Sequence, residues 1–235
     1  MAIEVGIIGA MDVEVAHLKE HMEGVSNETH AGMDFSSGTI DGVPVVVAMC
    51  KVGKVNAAAC TQAMCDCFGV THLVNTGVAG SLDARIDIGD IVVSTDAVHH
   101  DMDVNNLGYG LGQVPGMDVL AFEADPGLRS IAVQAVHEAA PDAKAFEGRV
   151  LSGDQFVRDQ AVKDRISGIF GGLCCEMEGA AIAQTAYLNQ VPFVIVRAIS
   201  DKADGSASEL YPVFEAKAAE HCARIVENML HRIVG

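Results

Sequence analysis

Six short runs of β-branched and other apolar residues recur along the chain, and they constrain its fold more than any other feature. They are "IEVGII" (3 to 8), "VPVVVAMC" (43 to 50), "THLVNT" (71 to 76), "DIVVST" (90 to 95), "AKAFEGRVLS" (143 to 152) and "VPFVIVRAIS" (191 to 200). Such runs suit strands buried on both faces, hence a largely parallel or mixed sheet. Helix-like segments lie between them. "MDVEVAHLKEHM" offers Asp12 as N-cap, and "VNAAACTQAMCDCF" is Ala-rich with Asn56 near its start. "SELYPVFEAKAAEHCARIVENMLHRIV" is amphipathic with Pro212 placed early. This alternation gives the α/β class. No repeat, charge run or linker interrupts it, and half the residues are hydrophobic, so residues 1–235 are expected to form one domain.

Charge and cysteine usage narrow the function. Fifteen Lys and Arg against thirty-two Asp and Glu leave a net charge of −17, which repels phosphate backbones and anionic membranes, so neither nucleic acid nor membrane is an expected partner. No apolar run approaches the roughly 20 residues of a membrane span, and "MAIEVGIIGAM" has neither a basic n-region nor a cleavage site. A cytoplasmic location is expected. The seven cysteines lack metal-ligand spacing and read as small core residues. Among nine scattered histidines "HHDMD" (99 to 103) reads as the only cluster, a polar loop to which no metal is assigned. "GIIGAM" is not G-x-G-x-x-G, and "KVGKVNAAA" is not a P-loop, so no cofactor is expected.

In an open α/β sheet the ligand crevice lies beyond the carboxyl ends of the strands. The residues there are informative: "GAMDVEV" with Glu14, "GVAGSL", "GDQFV", "CEMEG" with Glu176 and Glu178, and "DKAD" with Asp201. Each has a plain structural reading. Glu14 suits a first-turn helix acid, "GVAGSL" a tight turn, Glu178 a helix start, Met177 core filler and Phe156 a hydrophobic plug. Their shared location favours one acidic cleft instead. Arg197, inside "FVIVRAIS", needs a carboxylate partner because an unpaired buried charge costs several kcal/mol. Glu14 is the expected partner. The stretch 99 to 118, opening "HHDMDVNNLGYG", has no clear periodicity and reads as a functional loop reaching a partner subunit.

From "GIIGAMDVEV" through "NTGVAGSL", "GDIVVSTDAVHHDMDV", "SGDQFV" and "EMEGAAIA" to "RAISDKAD", the chain resembles the 5'-methylthioadenosine/S-adenosylhomocysteine nucleosidases of the nucleoside phosphorylase superfamily. The resemblance implies a three-layer αβα domain with a central mixed, twisted sheet flanked by helices. It implies hydrolysis of the N-ribosidic bond of methylthioadenosine, adenosylhomocysteine and 5'-deoxyadenosine, releasing adenine through an oxocarbenium-like transition state. Asp201, oriented by Ser200, would protonate N7 of the leaving adenine, and Glu14, steadied by Arg197, would activate water.

Glu178 would bind the ribose hydroxyls and Met177 pack on the sugar, with Glu176 serving either as a ligand contact or as a structural hydrogen-bonding group. Phe156 would stack on adenine while the Val157 backbone reads its edge, and Val78, Ala79 and Gly80 would border the ligand. Met11, Val52 and Phe214 would form the thioether pocket. Val104, Leu107 and Tyr109 of the 99 to 118 loop would close a partner's pocket, implying a homodimer. Val78 stands where many relatives carry Ser to hold the attacking water. The motif variants also resemble the branch that cleaves 6-amino-6-deoxyfutalosine in menaquinone synthesis. Alternatives are a purine nucleoside phosphorylase, disfavoured because Glu14 would repel phosphate, and a silent nucleoside-binding protein.

Overall fold

The computed structural model describes residues 4–204 and 206–234, with backbone alone at 207–210, 212 and 213. The described residues form ten strands and six α-helices. β1 (Val5–Gly9) leads into α1 (Asp12–Glu20); residue 3, where the first run begins, lies outside the described residues. β2 (Glu23–His30), β3 (Met33–Ile40) and β4 (Val43–Met49) form an antiparallel meander, followed by α2 (Lys54–Ala63) and a π-helical turn, Met64–Phe68. β5 (His72–Ser81), β6 (Ile91–His99) and the short β7 (Phe122–Glu123) precede α3 (Pro126–Ala139). β8 (Ala145–Ser152), α4 (Gln160–Phe170), β9 (Cys174–Glu176), α5 (Gly179–Asn189), β10 (Phe193–Asp201) and α6 (Ala207–Ile233) complete the order.

The sheet is mixed, as expected, but it is not simply open. β5 pairs with β1 and β10 in parallel and with β9 antiparallel. β10 runs on through β6 and β8 to β9. Strands β5, β10, β6, β8 and β9 therefore close on themselves, while β1, β4, β3 and β2 extend outward from β5. α1, α3 and α6 pack on one face around Val15, Leu18, Ala132 and Val226. α2 and α5 cover the other around Ala57, Cys60, Ala180 and Ala186. This is the expected three-layer arrangement.

Local chemistry explains the elements missing from the periodicity reading. β2 is an edge strand with almost every residue exposed, so its sequence carries no apolar alternation. Its registration comes instead from polar pairs across to β3, Thr29 to Asp34 at 2.7 Å and Ser36 to Asn27 at 2.8 Å. Asp41 and Gly42, both at positive φ, make the two-residue turn between β3 and β4, the geometry that matches strand twist. α3 begins at Pro126 with Asp125 accepting from the Leu128 amide. α4 is capped likewise by Asp159. At α1 the cap position is Met11, one residue earlier than the sequence suggested, with Asp12 already inside the first turn. The side chain that reaches back to the free amides is Glu14.

Candidate active site

The carboxyl ends of β1, β5, β9 and β10 converge on a cavity of about 450 Å³, within the range of small-molecule sites. Most predicted residues meet there: Met11, Glu14, Val52, Val78, Ala79, Gly80, Phe156, Glu176, Met177, Glu178, Ser200 and Asp201 all line it. Ala10, Cys175 and Tyr211 complete the wall.

Glu14 projects from the first turn of α1 and is 3% exposed. One carboxylate oxygen accepts from the amides of Ala10 (2.6 Å) and Met11 (3.0 Å), the other from the Val78 amide (3.0 Å). Three backbone donors fix its position. The Val78 contribution is an amide, so it does not depend on a hydroxyl at that residue. Burial raises the Glu14 pKa, against the opposing pull of Arg197 and the three amides. The chain can approach this closely only because residue 77 is glycine: a Cβ there would lie 2.4 Å from Glu14 Oε1 and 3.0 Å from Arg197 Nη1.

Arg197 lies buried beneath the cavity, and its partner is Glu176, not Glu14. Arg197 Nη2 donates to Glu176 Oε2 and to Asn75 Oδ1, each at 2.5 Å. Closure of the strands is the physical reason. It brings β9, whose last residue is Glu176, against β5 and β8, within reach of Arg197 Nη2. Burial opposes the Arg197 charge, but Glu176, Glu14 and Glu178 together outweigh it and raise its pKa, so it stays cationic. Its Nε and Nη1 find no partner among the described residues.

Glu176 is thereby accounted for as a structural hub. It also accepts from the Ser152 hydroxyl and from the Glu178 (3.1 Å) and Gly179 (2.8 Å) amides at the start of α5. Glu178 takes the Gly53 amide at 2.8 Å. Its pKa is pushed up to about 8 by burial and by the neighbouring Glu176 charge. At the end of β10, Asp201 is 2% exposed, accepting from the Ala203 amide (2.7 Å) and the Ser200 hydroxyl (3.0 Å). Burial raises its pKa despite both hydrogen bonds, which holds a proton on the carboxyl to higher pH.

Other predicted residues fall elsewhere. Phe214 lines a separate, smaller cavity with Ile88, Ile199 and His221. It sits three residues, about 4.5 Å, further along α6 than Tyr211. Tyr211 takes the place expected for Phe214, its ring edge-on to the half-exposed Phe156 at 5.6 Å. Val157 is buried next to the cavity with Leu82 and Cys175. Val104, Leu107 and Tyr109 do not line their own chain's cavity, and Leu107 is 67% exposed. "HHDMD" is not the main histidine cluster: His99 bonds Gln184 and Asp101 bonds Lys54, while the described residues that approach metal-binding geometry are His17, His21 and Glu227. Asn75, Ser152 and Gly53 escaped the sequence reading. Asn75 was detectable, since it interrupts an apolar strand just as Arg197 does.

Comparison with known proteins identifies the family. The phosphorylase superfamily model matches residues 4–231. A 5'-methylthioadenosine/S-adenosylhomocysteine nucleosidase of Chromohalobacter salexigens is 40% identical, over 98% of this chain and 97% of its own. The crystal structure of the nucleosidase of that name from Colwellia psychrerythraea, in complex with adenine, superposes with a TM-score of 0.95 at 36% identity, covering 99% of this chain and 96% of that one. A futalosine hydrolase of Helicobacter pylori gives 0.92 at 32%, covering 98% of each chain. The chain belongs to the 5'-methylthioadenosine/S-adenosylhomocysteine nucleosidases of the phosphorylase superfamily.

Proposed function

We propose that this chain hydrolyses the N-ribosidic bond of 5'-methylthioadenosine and S-adenosylhomocysteine, releasing adenine and a 5-thioribose. The observation that carries the proposal is a pair of buried carboxyls, Asp201 at the end of β10 and Glu14 in the first turn of α1, facing one mostly apolar cavity, each with a raised pKa. Asp201, held by Ser200 and the Ala203 amide, protonates N7 of the departing adenine, so the leaving group departs neutral. Glu14 takes a proton from the water that attacks the anomeric carbon, and the unpartnered Nη1 of Arg197 adds positive charge nearby. Glu178 accepts hydrogen bonds from the ribose hydroxyls and stabilises the oxocarbenium-like charge. Met177 covers the sugar, and Phe156 stacks on adenine with the Val157 backbone at its edge.

Water rather than phosphate is the nucleophile. No Lys, Arg or His lines the cavity among the described residues, and Arg197 below it is already paired with Glu176. A phosphate dianion there would find no Lys, Arg or His side chain among the described residues of the cavity wall to balance its charge. The resemblance to a futalosine hydrolase supports 6-amino-6-deoxyfutalosine as a further substrate of the same cavity. A homodimer, with the 99 to 118 loop closing the partner's pocket, is supported by exposed apolar side chains at Leu107, Val55 and Leu188. Seven free cysteines suit the reducing cytoplasm.

Release of the purine base, adenine from methylthioadenosine, adenosylhomocysteine and aminodeoxyfutalosine and hypoxanthine from inosine, with and without phosphate, tests the proposal. Phosphate-independent release from the thioethers is expected; a strict phosphate requirement, or cleavage of inosine alone, overturns it.

A further inference from the structure

On the outer face of the α1–α6 contact, remote from the cavity, two histidines and a glutamate converge. His17 of α1 and His21 at its C-cap are four residues apart, a spacing that puts both imidazoles on one side of a helix. Glu227 of α6 faces them, with Oε2 3.2 Å from His17 Nε2 and Oε1 2.5 Å from His21 Nδ1. The two rings meet edge-on with centroids 4.3 Å apart, and one donor atom from each of the three residues lies within 4.8 Å of the others. His17 and Glu227 are largely shielded, at 21% and 17% side-chain exposure, while His21 is half-exposed and leaves an entry path.

Nitrogen and oxygen ligands about 2.0–2.1 Å from a shared tetrahedral ion sit about 3.3 Å from each other. The His17–Glu227 separation already has that value, and a rotamer adjustment of the exposed His21 supplies the rest. Two imidazole nitrogens and one carboxylate suit a borderline divalent ion of the zinc class. Arg224, one turn before Glu227, is engaged with Glu220 at 2.5 Å and so does not neutralise the site. The −17 chain raises the local concentration of cations.

We propose that His17, His21 and Glu227 form a binding site for a divalent transition-metal ion of the zinc class, clamping α1 to α6. None of the three lines the cavity, so the site stands independently of the hydrolysis reading.

Titration of Zn²⁺ into the full chain against a chromophoric chelator tests this, with Co²⁺ spectra to report the ligand type. The expected result is one ion per chain without a thiolate-to-cobalt band. His17→Gln, His21→Gln and Glu227→Gln each weaken binding about tenfold or more, because each removes one of three ligands. His137→Gln, an exposed histidine on α3, leaves it unchanged. In the unmodified chain Zn²⁺ protects His17 and His21 from carbethoxylation, read by peptide mass spectrometry, which needs no variant to fold. Equal affinity in the His17→Gln chain, a thiolate band, or carbethoxylation of both histidines unaffected by Zn²⁺ overturns the proposal.

Discussion

A single methyl group at residue 77 separates the proposed role of Glu14 from a passive one. In Gly77→Ala the new Cβ lies 2.4 Å from Glu14 Oε1 and 2.8 Å from its Cδ, and ordinary contact begins at 3.4 Å. The carboxylate must retreat about 1 Å, which stretches its 3.0 Å bond from the Val78 amide beyond hydrogen-bonding range. Losing one bond to a charged acceptor costs about 1.5–3 kcal/mol, and overpacking adds about 1–3 kcal/mol to the loss of stability. Misplacing a catalytic group by about 1 Å lowers turnover by about 10²-fold. Asp201 and the adenine end are untouched, so kcat falls while adenine affinity holds. Steady-state adenine release, with an adenine-binding titration, reads both quantities. Gly168→Ala on α4, where a Cβ meets nothing within 4 Å, is the control. Turnover in Gly77→Ala within about threefold of the unmodified chain refutes the reasoning.

The ion pair beneath the cavity makes a stability prediction. Glu176→Gln leaves the Arg197 charge buried without its closest carboxylate, so urea unfolding should show a loss of about 3–5 kcal/mol; a loss below about 1 kcal/mol contradicts the pairing. The site also sets a pH dependence. Glu178, at about 8 in the folded chain against an ordinary 4.5, binds a proton that the unfolded chain releases, so its contribution is complete below 4.5 and lost as pH rises through about 8. Burial pulls His99 and His100 below 6.5, and their contribution is present above 6.5 and lost as pH falls. The Tm of the free enzyme should therefore decline from pH 6.5 to about 8, and Glu178→Gln should flatten that limb. An identical decline in the variant removes Glu178 as its cause.

How much of this was legible in the sequence depended on burial. β1, β4, β5, β6 and β10 are buried on both faces for most of their length, and β8 over its last three residues, so their apolar runs announced them. β2 is solvated and held by polar cross-strand pairs, which leave no hydrophobic period; the local signals around it are the two-residue turns Ala31-Gly32 and Asp41-Gly42. Strand-end logic located Glu14, Glu178 and Asp201 because each follows an apolar run or motif, while Ser200 entered through the family resemblance. The Arg197 partner was not legible. Glu14 and Glu176 are equally acidic in sequence, and only closure of the strands through β9 puts Glu176 within 2.5 Å. Phe214 and Tyr211 differ by three positions on one helix, and which of them reaches the cavity depends on where α6 crosses its rim.

The central claim is that Asp201 delivers the proton that lets adenine leave. Asp201→Asn retains the shape of the side chain and an acceptor for the Ala203 amide, but holds no acidic proton. Single-turnover adenine release from methylthioadenosine should fall by about 10²–10⁴-fold, with a non-hydrolysable thioether analogue still bound within about tenfold. Adenine release at the unmodified rate would contradict the account.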